Sequence, residues 1–386
     1  MDDFIPLSVP SLNGNELKYT KECIETEWVS SAGKYVELFE EKIADYTKSK
    51  FAIACVNGTS ALQTSLRLSG VQSEDEVIAP SLTFIAPINS ILYNNATPIF
   101  MDSDDFCNID EGKTIDFINN NTIFKDGYTY NKYSKKKISA IIPVHIWGNA
   151  VKFEELFKLC QERNINVVED ASESLGTYYN QGKFKNQHTG TVGKLGCISF
   201  NGNKIITTGG GGMILTDNLE LADKAKYLTT QAKDDPVNYV HEEIGYNFRL
   251  TNIQAAVGVA QLEQLDNFLK RKKQINSFYK SEINKIDGLS ILNTPEYSSN
   301  NHWINILEIN PELYKLDKNQ LMKHLNDKGI QTRPIWKLNH LQTPFKDFEN
   351  YKIDNAHKLV ENSLCLPSSV NLTSSDLERI VEALRK

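Results

Sequence analysis

The sequence holds little cysteine, and what it holds is scattered. Cys23, Cys55, Cys107, Cys160, Cys197 and Cys365 include no C-x-x-C pair. That excludes a disulfide framework and a zinc site, and it fits a reducing cytosol. Long apolar runs are missing too, and no stretch approaches the roughly 18 apolar residues of a membrane helix. The N-terminus, Met1-Asp-Asp-Phe-Ile-Pro6, is acidic and carries no signal or transit pattern, so a cytoplasmic location is expected. Positive charge is in deficit: 42 Lys and Arg against 49 Asp and Glu leave a net charge of −7. Such a chain has no general pull on nucleic acid or anionic membrane. The clusters Lys135-Lys136-Lys137 and Lys270-Arg271-Lys272-Lys273 read as solvated surface. There is no internal repeat, linker or low-complexity tract, and 386 residues suit one large domain with a smaller one.

Several nucleotide and hydrolase motifs are also absent. The run Gly209 to Gly212 is no dinucleotide fingerprint, because Ile214 or Leu215 takes the place of the last glycine. Gly193-Lys194 is followed by Leu195, and His188 stands where a P-loop has its first glycine. His241-Glu242 lacks the second histidine of a zincin helix, and no G-x-S-x-G occurs.

What is present is an alternation of apolar strands and amphipathic helices. Strands are expected at Phe51–Val56, Glu76–Pro80, Thr97–Asp102, Ile138–His145, Asn166–Asp170, Cys197–Phe200 and Met213–Thr216. Helices are expected at Gly14–Glu27, Tyr35–Lys48, Ala61–Leu68, Pro87–Tyr93, Phe153–Arg163 and Leu219–Thr229. The segment Asp102–Ser134 reads as polar, irregular surface. One helix is expected from Asn252 or Ile253 through Tyr279, roughly 40 Å long and able to bridge two domains. Beyond it come shorter pieces: strands at Leu289–Leu292 and His302–Ile309, a rigid turn at Arg333–Trp336, and helices at Asp317–Lys328 and Ser375–Lys386. The pattern predicts an α/β fold with a largely parallel sheet, whose functional groups gather at the carboxyl ends of strands. Thr59, Thr83, His145, Asp170 and Asn201 all follow such ends.

Four of these features share one chemistry. Gly58-Thr59-Ser60 follows a strand and opens a helix, which suits a phosphate as well as a simple cap. Asp170 is a carboxylate at a strand end, and Phe84 is an aromatic on another such loop. Lys204 lies between two apolar runs, five residues after Ser199, where a desolvated amine can react with a carbonyl. Pyridoxal phosphate requires all four: a phosphate cradle, a partner for its ring nitrogen, a ring to stack on and a lysine for its aldehyde.

Motifs along nearly the whole chain, from about Ile5 onward, resemble the DegT/StrS family of sugar-nucleotide aminotransferases. They are Asn57-Gly-Thr-Ser-Ala-Leu62, Ala79-Pro-Ser-Leu-Thr-Phe84, Pro143-Val-His-Ile-Trp-Gly148, Glu169-Asp-Ala-Ser-Glu-Ser174, Ser199-Phe-Asn-Gly-Asn-Lys204, Gly245-Tyr-Asn-Phe-Arg-Leu250 and Thr332-Arg-Pro-Ile-Trp336. The resemblance implies the pyridoxal phosphate-dependent transferase fold type I, which is aspartate-aminotransferase-like. Residues 1–252 would form the large domain with an N-terminal arm and a seven-stranded sheet. Residues 253–386 would form the bridging helix and a small α+β domain. It further implies a homodimer with shared active sites. By the same resemblance Lys204 binds the cofactor and shuttles the proton, and Asp170 pairs with the ring nitrogen. Gly58, Thr59, Ser60 and Ser199 hold the phosphate, Asn247 reaches it from the other subunit, and Phe84 stacks on the ring. Trp28, Ser30, His145, Arg249, Trp303, Arg333 and His340 are the substrate candidates, with His302 beside Trp303. One position departs from the pattern: many members carry Gln or His three residues after the aspartate, and here it is Glu173. A carboxylate there would repel a phenolate.

The stretches Asn201–Gly212 and Thr230–Asp235 resemble the branch acting in nonulosonate and bacillosamine-type glycan pathways. That implies transfer of an amino group from L-glutamate to C4 of UDP-2-acetamido-2,6-dideoxy-hexos-4-ulose. A GDP- or dTDP-linked keto sugar, or an eight-carbon keto acid sugar, remains open. A dehydratase of this fold would carry histidine in place of Lys204. A non-catalytic binder would not need both Lys204 and Asp170.

Overall fold

In the computed structural model, which describes residues 4–235 and 237–385, seven apolar runs become the strands of one sheet. They are β1 (Phe51–Cys55), β2 (Glu76–Pro80), β3 (Thr97–Met101), β4 (Lys137–Ile141), β5 (Asn166–Asp170), β6 (Leu195–Ser199) and β7 (Gly212–Thr216). Their spatial order is β1-β7-β6-β5-β4-β2-β3. Neighbours from β6 to β3 pair in parallel, and of these seven strands β7 alone runs against both of its neighbours. Most strand residues are buried, as the near-continuous apolar runs require of a sheet covered on both faces. β1 and the parallel strands therefore end at one edge, and β7 begins there. The register places Cys55, Gly212 and Ser199 side by side at that edge.

The N-terminal helices span Glu16–Glu25 and Lys34–Thr47, and those between strands Gly58–Ser69, Ile85–Tyr93, Glu154–Glu162 and Leu219–Thr229. Each lies within a few residues of its expected bounds. Asp102–Ser134 departs from expectation. It folds into a helix, Glu111–Asn121, and a hairpin, Thr122–Lys125 with Tyr128–Asn131, whose second strand pairs with the start of β4. Thr114, Phe117 and Ile118 bury one face of that helix, and the Asp110 carboxylate caps it by accepting the Lys113 N–H at 2.8 Å.

The expected long helix is two helices, Asn252–Leu262 and Leu265–Ile283, with a turn at Glu263-Gln264. The first buries Ala255, Ala256 and Val259 with Phe39 and Ile43 in a core under the sheet. The second buries Ile275, Tyr279 and Ile283 against a separate core. The two helices thus pack in different cores on either side of the turn. Glu263, at the turn, accepts hydrogen bonds from Asn15 and the Tyr19 hydroxyl.

The C-terminal part forms a four-stranded antiparallel sheet from Leu289–Ile291, Asn305–Ile309, Ser363–Leu366 and Arg333–Pro334. The expected turn at Arg333 is thus a two-residue edge strand. Helices Lys318–Asp327 and Ser374–Arg385 cover this sheet, and Lys386, the last residue of the expected final helix, lies outside the described residues. Between Pro334 and Ser363 the chain returns to the first sheet, where Asn350–Tyr351 pairs parallel to β3. Among the described residues no helix is long and apolar enough to cross a membrane.

Candidate active site

The strand edge where Cys55, Gly212 and Ser199 meet is crowded by backbone. A Cβ on Gly212 would lie 2.5 Å from the Asn57 carbonyl, so the start of β7 packs directly on the Asn57-Gly58 turn. Asn57 caps the helix Gly58–Ser69 by accepting the Ser60 N–H at 2.8 Å. The helix N-terminus is thereby aimed at the space above β6. A Cβ on Gly58 would sit 3.2 Å from Ser199 Oγ and 3.3 Å from Ser172 Oγ. Two hydroxyls and a helix N-terminus thus converge on a hollow that exists because residue 58 has no side chain. This is the composition of a phosphate cradle.

The hollow opens into a cavity of about 530 Å³ at the carboxyl ends of the strands. Gly58, Thr59, Thr83, Phe84, Asp170, Glu173, Ser199, Asn201, Lys204, Trp303 and Arg333 all line it. Asp170 and Glu169 are neighbours on β5, so they face opposite sides of the sheet. Asp170 faces the cavity and accepts the Ser172 N–H at 2.9 Å. Burial pushes its carboxyl up, against the lowering by Ser172 and Lys204. A buried carboxylate with so little compensation is poised to take a cationic partner.

Lys204 Nζ lies 3.4 Å from Glu173 Oε1 and 4.2 Å from the centre of the Trp303 ring. Glu173 is itself buried, which raises its carboxyl above the ordinary value, and its Oε2 accepts the Trp147 N–H at 2.8 Å. Trp147 holds that position with φ of +51°, a strained backbone placed at the site rather than on the surface. Its ring stacks on Trp336 at 5.1 Å, and Phe84 packs at 6.1 Å from Trp336.

Other expected site residues lie elsewhere. Ser60 is buried in the first helical turn, behind the cavity wall. His145 is not in the cavity. Its Nδ1 accepts the Val151 N–H at 3.0 Å, so Nε2 carries the proton and donates to Glu169 at 2.8 Å. Glu169 also accepts the N–H groups of Gly190, Val192 and Gly193. This network fixes the opposite face of β5. His340 sits beside the cavity with Nδ1 at 2.6 Å from Ser81 Oγ. Trp28 lines a separate hollow with Cys23, Tyr35 and Asn252, and the Ser30 carbonyl accepts the Asn252 N–H. Asn247 is exposed beside Thr230, and Arg249 bridges to Cys55. His302 packs below Trp303, where burial lowers its ring to about 4.

Trp147, Trp336, Ser172, Asn203 and Cys365 line the cavity and were not among the expected site residues. The tryptophans had a signal. The chain has four, and three of them face this cavity.

The model of the DegT/DnrJ/EryC1/StrS aminotransferase family matches residues 10–385. The chain belongs to this family. It is 36% identical to EpsN of Bacillus subtilis (strain 168), assigned as a pyridoxal phosphate-dependent aminotransferase, over 98% of this chain and 95% of that one. It is 35% identical to GDP-perosamine synthase of Escherichia coli O157:H7 over 99% and 98% of the two chains. The fold matches a DegT DnrJ EryC1 StrS aminotransferase from Brucella abortus with a TM-score of 0.86 and 25% identity, over 96% of this chain and 94% of that one. The fold is thus type I, and the protein is a pyridoxal phosphate-dependent aminotransferase. The residues present fit that cofactor. Gly58 leaves the cradle open, Thr83 Oγ1 is buried with no hydrogen-bond partner among the described residues, and Lys204 brings an amine into the cavity.

Proposed function

We propose that the enzyme moves an amino group from L-glutamate to C4 of a nucleotide-linked 4-keto-6-deoxy sugar. The observation that carries the reading is the placement of Lys204 Nζ in one cavity with buried Asp170 and the Gly58–Ser199 hollow. Gly58, Thr59, Ser172 and Ser199 would hold the phosphate of the cofactor, and Asp170 its ring nitrogen. When bound, the cofactor would supply an electron sink beside the transferred nitrogen. The chain's residues do the rest. Asp170 keeps a negative charge against the ring, Phe84 and the tryptophans limit water, and Lys204 moves the proton at the reacting carbon.

Arg333, exposed at the cavity mouth, suits a substrate carboxylate or phosphate. The reading includes a homodimer in which Asn247, Arg249, Trp28 and Ser30 serve the neighbouring site, since one chain leaves all four outside its own cavity. It also treats 1–252 and 253–386 as the two working domains, with cofactor on the first and the mouth closed by the second.

Two nucleotides have support. The motif resemblance favours the UDP-linked 2-acetamido sugar, and the 35% identical GDP-perosamine synthase favours a GDP-linked one. Glutamate-dependent amination of UDP-, GDP- and dTDP-linked 4-keto-6-deoxy sugars, read by mass spectrometry, tests the proposal. Amination at C4 of one of them is expected. Conversion of the cofactor by glutamate with no sugar in the panel aminated would refute the sugar assignment. No conversion at all would refute glutamate as donor.

A further inference from the structure

Lys204 does not hang free in the cavity, because its ammonium lies between two walls, Glu173 Oε1 and the Trp303 ring. Each wall is anchored. Glu173 Oε2 is taken by the Trp147 N–H, which leaves Oε1 for Lys204. Trp303 Nε1 donates to the carbonyl of Asn203, the residue before Lys204, at 2.6 Å. Behind Trp303, the buried Lys272 donates to its carbonyl at 2.8 Å. Asn301 ties the walls together: its Nδ2 donates to the Glu173 carbonyl at 2.8 Å, and its Oδ1 accepts the Trp303 N–H at 3.0 Å. Asn301 is almost fully buried, so neither wall moves without the other.

We infer that Glu173 and Trp303 form a berth for Lys204 while the lysine is not covalently engaged, and that Glu173 takes the ammonium proton when the free amine is needed. The inference rests on the reading of Lys204 as the reacting amine. In amino transfer Lys204 would be free of the cofactor for part of each cycle. An ammonium loose in a cavity this size would compete with the substrate for space and charge. A buried carboxylate and an indole face each hold a cation more strongly than they would at an exposed surface.

The proton step balances within the pair. One proton passes from Nζ to Oε1, the nitrogen regains its lone pair, and Glu173 becomes a neutral acid. The pair carries no net charge before or after. Burial and the nearby Asp170 carboxylate both raise the Glu173 carboxyl, so the neutral arrangement lies within reach when the amine is needed. Glutamine in that place could hold Lys204 by a hydrogen bond but could not accept its proton.

The test uses the full-length enzyme converted to its pyridoxamine form, in which Lys204 is not bound to cofactor. Wild type and Glu173→Gln are pulsed with acetic anhydride at pH 7.5. Labelling of Lys204 relative to the exposed Lys21 is then read by peptide mass spectrometry. The berth predicts that Lys204 labels at least about fivefold faster in the variant, because glutamine supplies no charge to hold the amine against the wall. An unchanged ratio would overturn it. If Glu173→Gln does not fold, Glu173→Asp draws the carboxylate back by one methylene. The same rise is then expected, and an unchanged ratio is again contrary. A protein whose cofactor is found on Lys204 but whose labelling is insensitive to residue 173 would lose the berth and keep the proposed function.

Discussion

Asp170 and Gly58 both line the cavity, and each can be altered by a few atoms. Asp170→Asn keeps the size and the hydrogen bond to the Ser172 N–H but removes the charge that faces the cavity. Turnover is expected to fall by about 100-fold or more, with cofactor still bound, because a preorganised charge is lost where charge develops. Single-turnover absorbance with glutamate checks this, and a rate within a factor of two of wild type would remove Asp170 from its role. Gly58→Ala fills the cradle itself, since the new Cβ would lie 2.9 Å from Ser199 Cβ. Fold stability is expected to drop by about 1–3 kcal/mol. Cofactor affinity is expected to fall roughly tenfold, the loss of about one hydrogen bond to a charged group. Equilibrium dialysis measures the second effect, and unchanged affinity would place the phosphate elsewhere.

At the scale of elements, Asp102 shows what the sequence pattern concealed. It follows β3, is fully buried, and accepts the N–H groups of Asp354, Asn355 and Ala356 at 2.8–3.0 Å. Lys113 Nζ donates to it as well. It therefore pins the start of the helix Asn355–Glu361 and ties the returning C-terminal segment to the first sheet. Burial pushes its carboxyl up, but Lys113 and the three N–H groups outweigh that and hold it below the ordinary value. Asp102→Ala is expected to destabilise the protein by about 2–4 kcal/mol, because it leaves three N–H groups at a helix start without their acceptor, while Lys113 keeps Asp354 and the Lys352 carbonyl. The sign of the pH dependence follows from the lowered folded-state value. The contribution is complete above the unfolded carboxyl value of about 4 and is lost as pH falls through the lower folded one. The gap between wild type and Asp102→Asn in urea unfolding should thus narrow below about pH 4. A gap that is constant from pH 7 to pH 3 would contradict the account.

Asp102 was placed in an irregular surface segment because Asn and Asp dilute the apolar residues there. Thr114, Phe117 and Ile118 suffice to bury the helix, yet three residues at one spacing do not stand out from a polar background. The seven strands were legible because sheets covered on both faces demand unbroken apolar runs. The break at Glu263-Gln264 was not, because both halves of the helix keep apolar spacing and only their partners differ. Thr59, Thr83, Asp170 and Asn201 were legible as cavity residues from their place after strand ends. His145 shares that place but turns to the other face, a choice set by Glu169 and invisible in spacing alone.

Over the whole molecule, several large apolar side chains remain exposed near residues that one chain leaves outside its own cavity. Leu17, Ile24, Trp28 and Val29 lie on the N-terminal segment, and Val237, Tyr239 and Ile244 on the loop before Asn247. Patches of this kind mark association surfaces. Light scattering is expected to give twice the mass of one chain at micromolar concentration, and the mass of a single chain would contradict the dimer. Among the described lysines Lys272 is buried and the Lys204 side chain is only 12% exposed, so these two are the candidates to carry the cofactor. Lys272 is the more deeply buried. Burial lowers it to about 7, but it donates to the carbonyls of Trp303 and Ser368 behind the cavity wall. Lys204 is the one inside. Borohydride reduction of the intact enzyme, followed by peptide mass spectrometry, locates the attached cofactor directly. The account predicts it on the peptide containing Lys204, and its attachment to Lys272 or to no single lysine would contradict it.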